Sequence, residues 1–274
     1  MHIAEQLLHS TIFIKASKKK GITTGTGFFF NFLDKENKSI PAIVTNKHVV
    51  KDTITGTLRF SIRNSENEDV ISHHEDFIIN NFEKSWIMHP DENIDLCILP
   101  IAEIIENARK RNVHLLYTYL TKELIPSKEE LENEISRIED VTVIGYPNGI
   151  WDDKNNLPIT RRGINATPMQ VDFQDRPVFL IDVAIYGGSS GSPVFIFNQG
   201  SYPRLNGNVA LETRLKLVGI VFRVFNHTAT GEIKSVDIPV ASKQIAQTSI
   251  PNNLGIVIHA RKLLDFEEIL KAKL

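Results

Sequence analysis

Three residues of this chain carry the side chains that acyl transfer needs: a hydroxyl, an imidazole and a carboxylate. Ser190 sits in Gly188-Ser189-Ser190-Gly191-Ser192-Pro193, where small neighbours permit a tight turn with its N–H groups facing outward. Such a turn can bring the nucleophile and the donors for a developing oxyanion onto one carbonyl. Ordinary turns also use serine and glycine, so the hexapeptide alone leaves a plain flexible loop open. His48 lies in Thr45-Asn46-Lys47-His48-Val49-Val50, just after an apolar run, and Asp95 heads Asp95-Leu96-Cys97-Ile98-Leu99. As a set, His48 would take the Ser190 proton while Asp95 fixes the tautomer of His48 and stabilises its imidazolium. Singly, His48 reads as a satisfied core histidine and Asp95 as a strand-end cap.

Strands must position these groups. Runs rich in β-branched and aromatic residues cover 11–16 and 25–33 on either side of the turn Lys18-Lys19-Lys20, and 42–45 leads into His48. Residues 57–62 alternate like a half-buried strand, and 86–100 supplies the strand that Asp95 opens. Residues 101–108 and 128–138 have apolar positions three and four apart among charges, which predicts one or two helices with a solvated face. Strands resume at 141–147, 161–164, 178–185, 194–197, 217–224 and 255–258, with a long loop at 226–250 and a closing helix at 261–273. No internal repeat or low-complexity linker interrupts this pattern.

The 274 residues are 42% hydrophobic and 23% charged, with net charge −2, enough apolar content for a sizeable core. That charge gives no general affinity for nucleic acid or anionic lipid. Cys97 is the only cysteine, which excludes an intrachain disulfide and suits a reducing compartment. Its place in an apolar strand makes it a buried structural thiol. The start, Met1-His2-Ile3-Ala4-Glu5-Gln6-Leu7-Leu8, lacks the features of a secretory signal, and no stretch approaches the roughly 18 apolar residues of a membrane span. A cytoplasmic protein is expected. His73-His74, Asp91-Glu92 and Trp151-Asp152-Asp153 match no zinc or calcium spacing, so neither metal nor cofactor is expected.

Taken in order, three stretches resemble the trypsin-like serine peptidases of the bacterial HtrA and glutamyl-endopeptidase type. They are Gly25-Thr26-Gly27-Phe28-Phe29 with Thr45-Asn46-Lys47-His48-Val49-Val50, then Asp95-Leu96-Cys97-Ile98-Leu99, then Asp182-Val183-Ala184-Ile185-Tyr186-Gly187 running into the serine turn. The resemblance covers about residues 12–264. It implies an all-β, chymotrypsin-like fold of two packed six-stranded antiparallel β-barrels, with a helical connection and a C-terminal helix. One peptidase domain, 1–274, would divide into a first barrel at 10–100, a connection at 101–139, a second barrel at 140–260 and a helix at 261–274. A PDZ module of the kind that HtrA proteins carry is not expected within these residues.

The resemblance further implies an endopeptidase that acts on polypeptides through a His48, Asp95 and Ser190 triad, with the N–H groups of Gly188 and Ser190 as oxyanion hole. Ser189 stands where digestive trypsins use an aspartate for zymogen activation, so that activation is not expected. Ser192 replaces a glycine, as in glutamyl endopeptidases, and Phe222 replaces a serine that supports the triad aspartate. The specificity pocket would draw on Ala184, Ile185, Tyr186, Phe222, Arg223 and Val224. Ala184 takes the place of the trypsin floor aspartate, leaving a buried substrate cation unpaired. Val224 narrows the entrance, which favours Val, Ala, Thr or Leu before the scissile bond. Arg223, or His227 in the long loop, would bring polar groups there. A peptide-binding pseudoenzyme on the same scaffold is the competing reading, and a gate in the form of a regulatory protein partner or a mobile oxyanion loop is expected.

Overall fold

The computed structural model describes residues 2–35, 38–63, 73–232 and 245–272. Its first half comprises α1 (Ile3–Leu8), β1 (Thr11–Lys18), β2 (Ile22–Lys35), β3 (Lys38–Thr45), α2 (Lys47–Val50), β4 (Thr53–Ile62), β5 (His74–Asn80), β6 (Ile87–Met88) and β7 (Cys97–Pro100). A connection follows with α3 (Ala102–Lys110), β8 (Leu115–Leu116) and α4 (Lys128–Asn133). The second half has β9 (Asp140–Gly145), β10 (Ile159–Asn165), β11 (Val178–Asp182), β12 (Pro193–Asn198), the short pair β13 (Tyr202–Pro203) and β14 (Val209–Ala210), β15 (Arg214–Glu232), β16 (Ile245–His259) and α5 (Phe266–Lys271).

The all-β class and its two-part plan hold. The second half closes as a six-stranded barrel in the order β10-β11-β16-β15-β12-β9. The first is an eight-stranded sheet, β5-β4-β1-β2-β3-β7-β6, with β8 added to β4. Of the strands that raise its count above six, β5 contains His74, where a surface loop is expected from the paired histidines. Phe77-Ile78-Ile79 instead carries seven residues into register with β4.

The alternation of β2 ties the halves together. Phe28, Phe30 and Phe32 are fully buried against Ile144, Phe195, Leu217 and Ile220 of the barrel. Phe29, on the opposite face, joins Ile12, Ile14, Ile43 and Leu58 in the core of the first half. The barrel fills its own interior with Val141, Val143, Phe179, Ile181, Val194 and Val257.

Three elements differ from expectation. Asp95 does not open a strand; it lies two residues before β7, in the segment that returns from β6. The closing helix breaks into a 3-10 turn at Ala260–Leu263 and α5, whose Phe266 and Leu270 dock on the cluster around Phe32. Of the expected long loop, the described residues 226–232 and 245–250 form a ribbon, β15 and β16 staying paired from Asn226↔Pro251 to Glu232↔Ile245, and the rest lies outside the described residues. The His227 side chain lies outside the described structure. Among the described residues, no helix is long and apolar enough to cross a membrane.

Candidate active site

His48 belongs to α2, a single helical turn that starts directly after β3. Val49 and Val50 anchor that turn in the core, leaving the His48 imidazole 46% exposed. The backbone N–H of His48 donates to Asp95 Oδ1 at 3.0 Å, and Nδ1 on the ring meets Asp95 Oδ2. Asn46 Nδ2 donates to the Asp95 carbonyl at 2.7 Å, which fixes the backbone of the aspartate as well. On the other side of the ring, Nε2 lies 2.9 Å from Ser190 Oγ. The Phe222 carbonyl is 3.5 Å from that hydroxyl, so His48 is its nearer partner. Three residues from three separate segments thus form one hydrogen-bonded line.

The serine turn is held by its backbone. Gly188 and Gly191 adopt φ of +82° and +87°, the left-handed region that side chains disfavour. Space enforces the same choice: a Cβ on Gly188 would lie 2.6 Å from the Tyr146 carbonyl oxygen, and one on Gly191 2.0 Å from that of Thr26. The N–H of Asn148 donates to the Gly187 carbonyl. In a trans peptide the following N–H points the opposite way, so Gly188 N–H is turned from the Asn148 side. Among the described residues, neither Gly188 N–H nor Ser190 N–H has an acceptor.

A match to the family model of the trypsin-like peptidase domain spans residues 25–201. The chain belongs to that family. Its shape is also similar to solved proteases. One is a serine endoprotease from Yersinia pestis, at 15% identity and TM-score 0.48 over 97% of this chain, which spans 64% of that protein. A second is a thermostable serine protease from an extremophilic microorganism, at 10% identity, TM-score 0.49 and coverage of 96% of this chain and 97% of the other. A third is a mutant of tobacco etch virus protease, at 12% identity, TM-score 0.49 and coverage of 98% and 81%. No curated protein matches the sequence.

Within this trypsin-like protein the residues that the sequence suggests for a specificity pocket divide by exposure. Ala184 is half-buried on the segment that leads to the serine turn, but Ile185 is fully buried among Val183, Val221 and Val257. Tyr186 is half-buried with the Arg161 guanidinium 5.1 Å from its ring centroid. Phe222 turns its ring toward His48, with centroids 6.2 Å apart, and the exposed Arg223 lies over Phe222 at 5.0 Å. Val224 is opposite Gly255 on β16. Cys97 is free, and burial, with Asp95 nearby, pushes its thiol well above the ordinary range. A thiol so protonated is inert.

In the sequence, Thr26 and Thr45 are ordinary members of the stretches around Gly25 and His48, and no pattern marks Asn148. The structure brings Thr26 and Asn148 to the backbone just before Ser190, and Thr45 to the carbonyl of Thr26.

Proposed function

We propose that this trypsin-like protein is a serine endopeptidase that hydrolyses polypeptides through an acyl-enzyme, with His48, Asp95 and Ser190 as its triad. The observation that carries the reading is the line of contacts from Asp95 through both nitrogens of His48 to Ser190 Oγ. Ser190 Oγ bonds to the substrate carbonyl carbon as its proton passes to His48 Nε2. His48 then gives that proton to the leaving amine as the C–N bond breaks. Water, deprotonated by the same nitrogen, releases the acid and restores the serine. Asp95 holds the imidazole in the required tautomer throughout. Gly188 N–H and Ser190 N–H, which lack acceptors among the described residues, receive the oxyanion.

Small aliphatic residues are the proposed preference before the scissile bond. Ala184 offers no carboxylate, and its neighbour Ile185 is an apolar, fully buried side chain. The protein would work in the cytoplasm on unfolded or extended chains, and a regulatory partner rests on the sequence argument alone. Cleavage of a peptide library by the wild-type chain, compared with Ser190→Ala, tests this reading. Cuts after Val, Ala, Thr or Leu that vanish in the variant support it. Cleavage that persists in Ser190→Ala contradicts it.

A further inference from the structure

Thr26, on β2 of the first half, is the residue where both halves of the site meet. It is fully buried. Its Oγ1 donates to the Gly188 carbonyl at 3.0 Å and accepts from Tyr146 N–H at 3.0 Å. Its own N–H donates to the Ser190 carbonyl at 2.9 Å. Its carbonyl accepts from Thr45 Oγ1 at 2.7 Å, three residues before His48 in the chain. One residue thus engages the backbone on both sides of Ser189 and the end of the strand that presents the histidine.

The surroundings make room for it. A Cβ on Gly145 would lie 2.7 Å from Thr26 Oγ1, and one on Gly191 would strike the Thr26 carbonyl. The Gly188 peptide units are held at three points, by Asn148 N–H on the preceding carbonyl, by Thr26 Oγ1 on its own and by Ser189 N–H donating to the Tyr186 carbonyl. With both carbonyls engaged, Gly188 N–H has little freedom to rotate out of place. Without the Thr26 hydroxyl, the Gly188 carbonyl loses that donor, and the peptide between Gly188 and Ser189 is left with the bond from Ser189 N–H to the Tyr186 carbonyl at 3.1 Å, so its carbonyl end can shift.

We propose that Thr26 is a positioning residue that holds the Gly188 N–H in its oxyanion-binding direction across the junction of the two halves. The role rests on the serine-endopeptidase reading, since it acts through the proposed oxyanion hole. Thr26→Val keeps the volume and removes the hydroxyl, whereas Thr26→Ser keeps the hydroxyl. Misplacing a donor in this way lowers the rate by on the order of 10- to 100-fold.

The test compares wild type, Thr26→Val and Thr26→Ser for kcat and KM on a small-aliphatic peptide substrate. It also compares inhibition by a tripeptide aldehyde ending in alaninal, which forms an oxyanion on Ser190, with inhibition by the matching alcohol, which does not. Thr26→Val should lose kcat and aldehyde affinity together, with KM and alcohol affinity nearly unchanged, and Thr26→Ser should recover both within a few-fold. Equal loss of aldehyde and alcohol binding, or no loss of kcat, would overturn the proposal. Amide resonances of Gly188 and Ser190, followed by NMR, read the loop without activity. A wild type that neither cleaves nor binds the aldehyde, with Gly188 displaced in Thr26→Val, refutes the peptidase reading while leaving Thr26 as the anchor of the loop. An undisturbed Gly188 signal in Thr26→Val refutes the anchor itself.

Discussion

His48 Nε2 and Ser190 Oγ stand 2.9 Å apart although they come from different halves of the molecule. Their distance therefore depends on how the two halves dock, through Phe28, Phe30 and Phe32 on one side and Phe195 and Leu217 on the other. Removing any member of the line should be costly. Ser190→Ala and His48→Ala should each reduce kcat by on the order of 10⁴–10⁶-fold. Asp95→Asn should cost about 10⁴-fold by favouring the wrong tautomer. Single-turnover kinetics with a peptide ester measure all three, and circular dichroism checks that the fold persists.

The glycines of the serine turn should respond unequally. Gly188→Ala places a side chain at φ +82° and 2.6 Å from the Tyr146 carbonyl. We expect a kcat loss on the order of 10²–10³-fold, the effect of losing one oxyanion donor. At Gly187 the nearest atom to an added Cβ is Asn148 Oδ1, at 3.5 Å. Gly187→Ala should cost far less. Equal losses in side-by-side kcat measurements would refute the geometry.

Stability should depend on one buried ion pair. Arg214 Nη2 donates to Glu139 Oε2 at 2.6 Å, with both side chains at least nine-tenths buried. Arg214 also donates to Asn198 Oδ1, and Glu139 Oε1 accepts from Ser136 N–H. Arg214→Met leaves the Glu139 carboxylate buried without its cation, which should cost about 3–5 kcal/mol in urea unfolding. The double variant with Glu139→Leu should be more stable than Arg214→Met alone.

A second stability term depends on pH. His259 is buried against the Phe179 ring, with Nε2 3.1 Å from Asp172 Oδ1 and Arg261 on the same carboxylate. Burial, aided by the Arg261 charge, lowers its pKa from 6.5 to about 4. The unfolded chain then binds the proton more readily, so His259 contributes stability above about pH 6.5 that is lost as pH falls toward 4. Thermal melts across that window should show a falling Tm, and His259→Gln should flatten the upper part of the slope. An unchanged slope would contradict the assignment.

Much of this was legible in the sequence, for local reasons. The serine turn announces itself through adjacent small residues, and Phe28 to Phe32 alternate at the period of a strand. The remainder lies in contacts that no local pattern encodes. Thr26 and Gly188 are 162 residues apart, and only the docked halves show that one hydroxyl supports the other's carbonyl. The ribbon of β15 and β16 lacks an apolar alternation beyond the barrel and so reads as a loop. Asp95 reads as part of the strand because Leu96 to Leu99 are uniformly apolar, yet the chain is still turning there: Ile94 N–H donates to the Asp91 carbonyl at 3.1 Å and Leu96 N–H to the Ile94 carbonyl at 3.0 Å.

The preference for small residues should be graded. Apolar pockets discriminate by only about 1–3 kcal/mol per methylene. Val224→Gly should widen the pocket opposite Gly255 and raise kcat/KM for Phe or Met before the scissile bond relative to Ala. A wild-type cleavage profile dominated by Lys, Arg or Glu would sink the apolar-pocket reading.

The central claim is that Ser190 is a nucleophile activated by His48. Reaction of the purified chain with a fluorophosphonate, followed by intact-mass and peptide-mapping mass spectrometry, tests it most directly. One adduct per chain is predicted, on Ser190 Oγ, absent in Ser190→Ala and slowed by several orders of magnitude in His48→Ala. An unlabelled wild type, or an adduct that survives in Ser190→Ala, would contradict it.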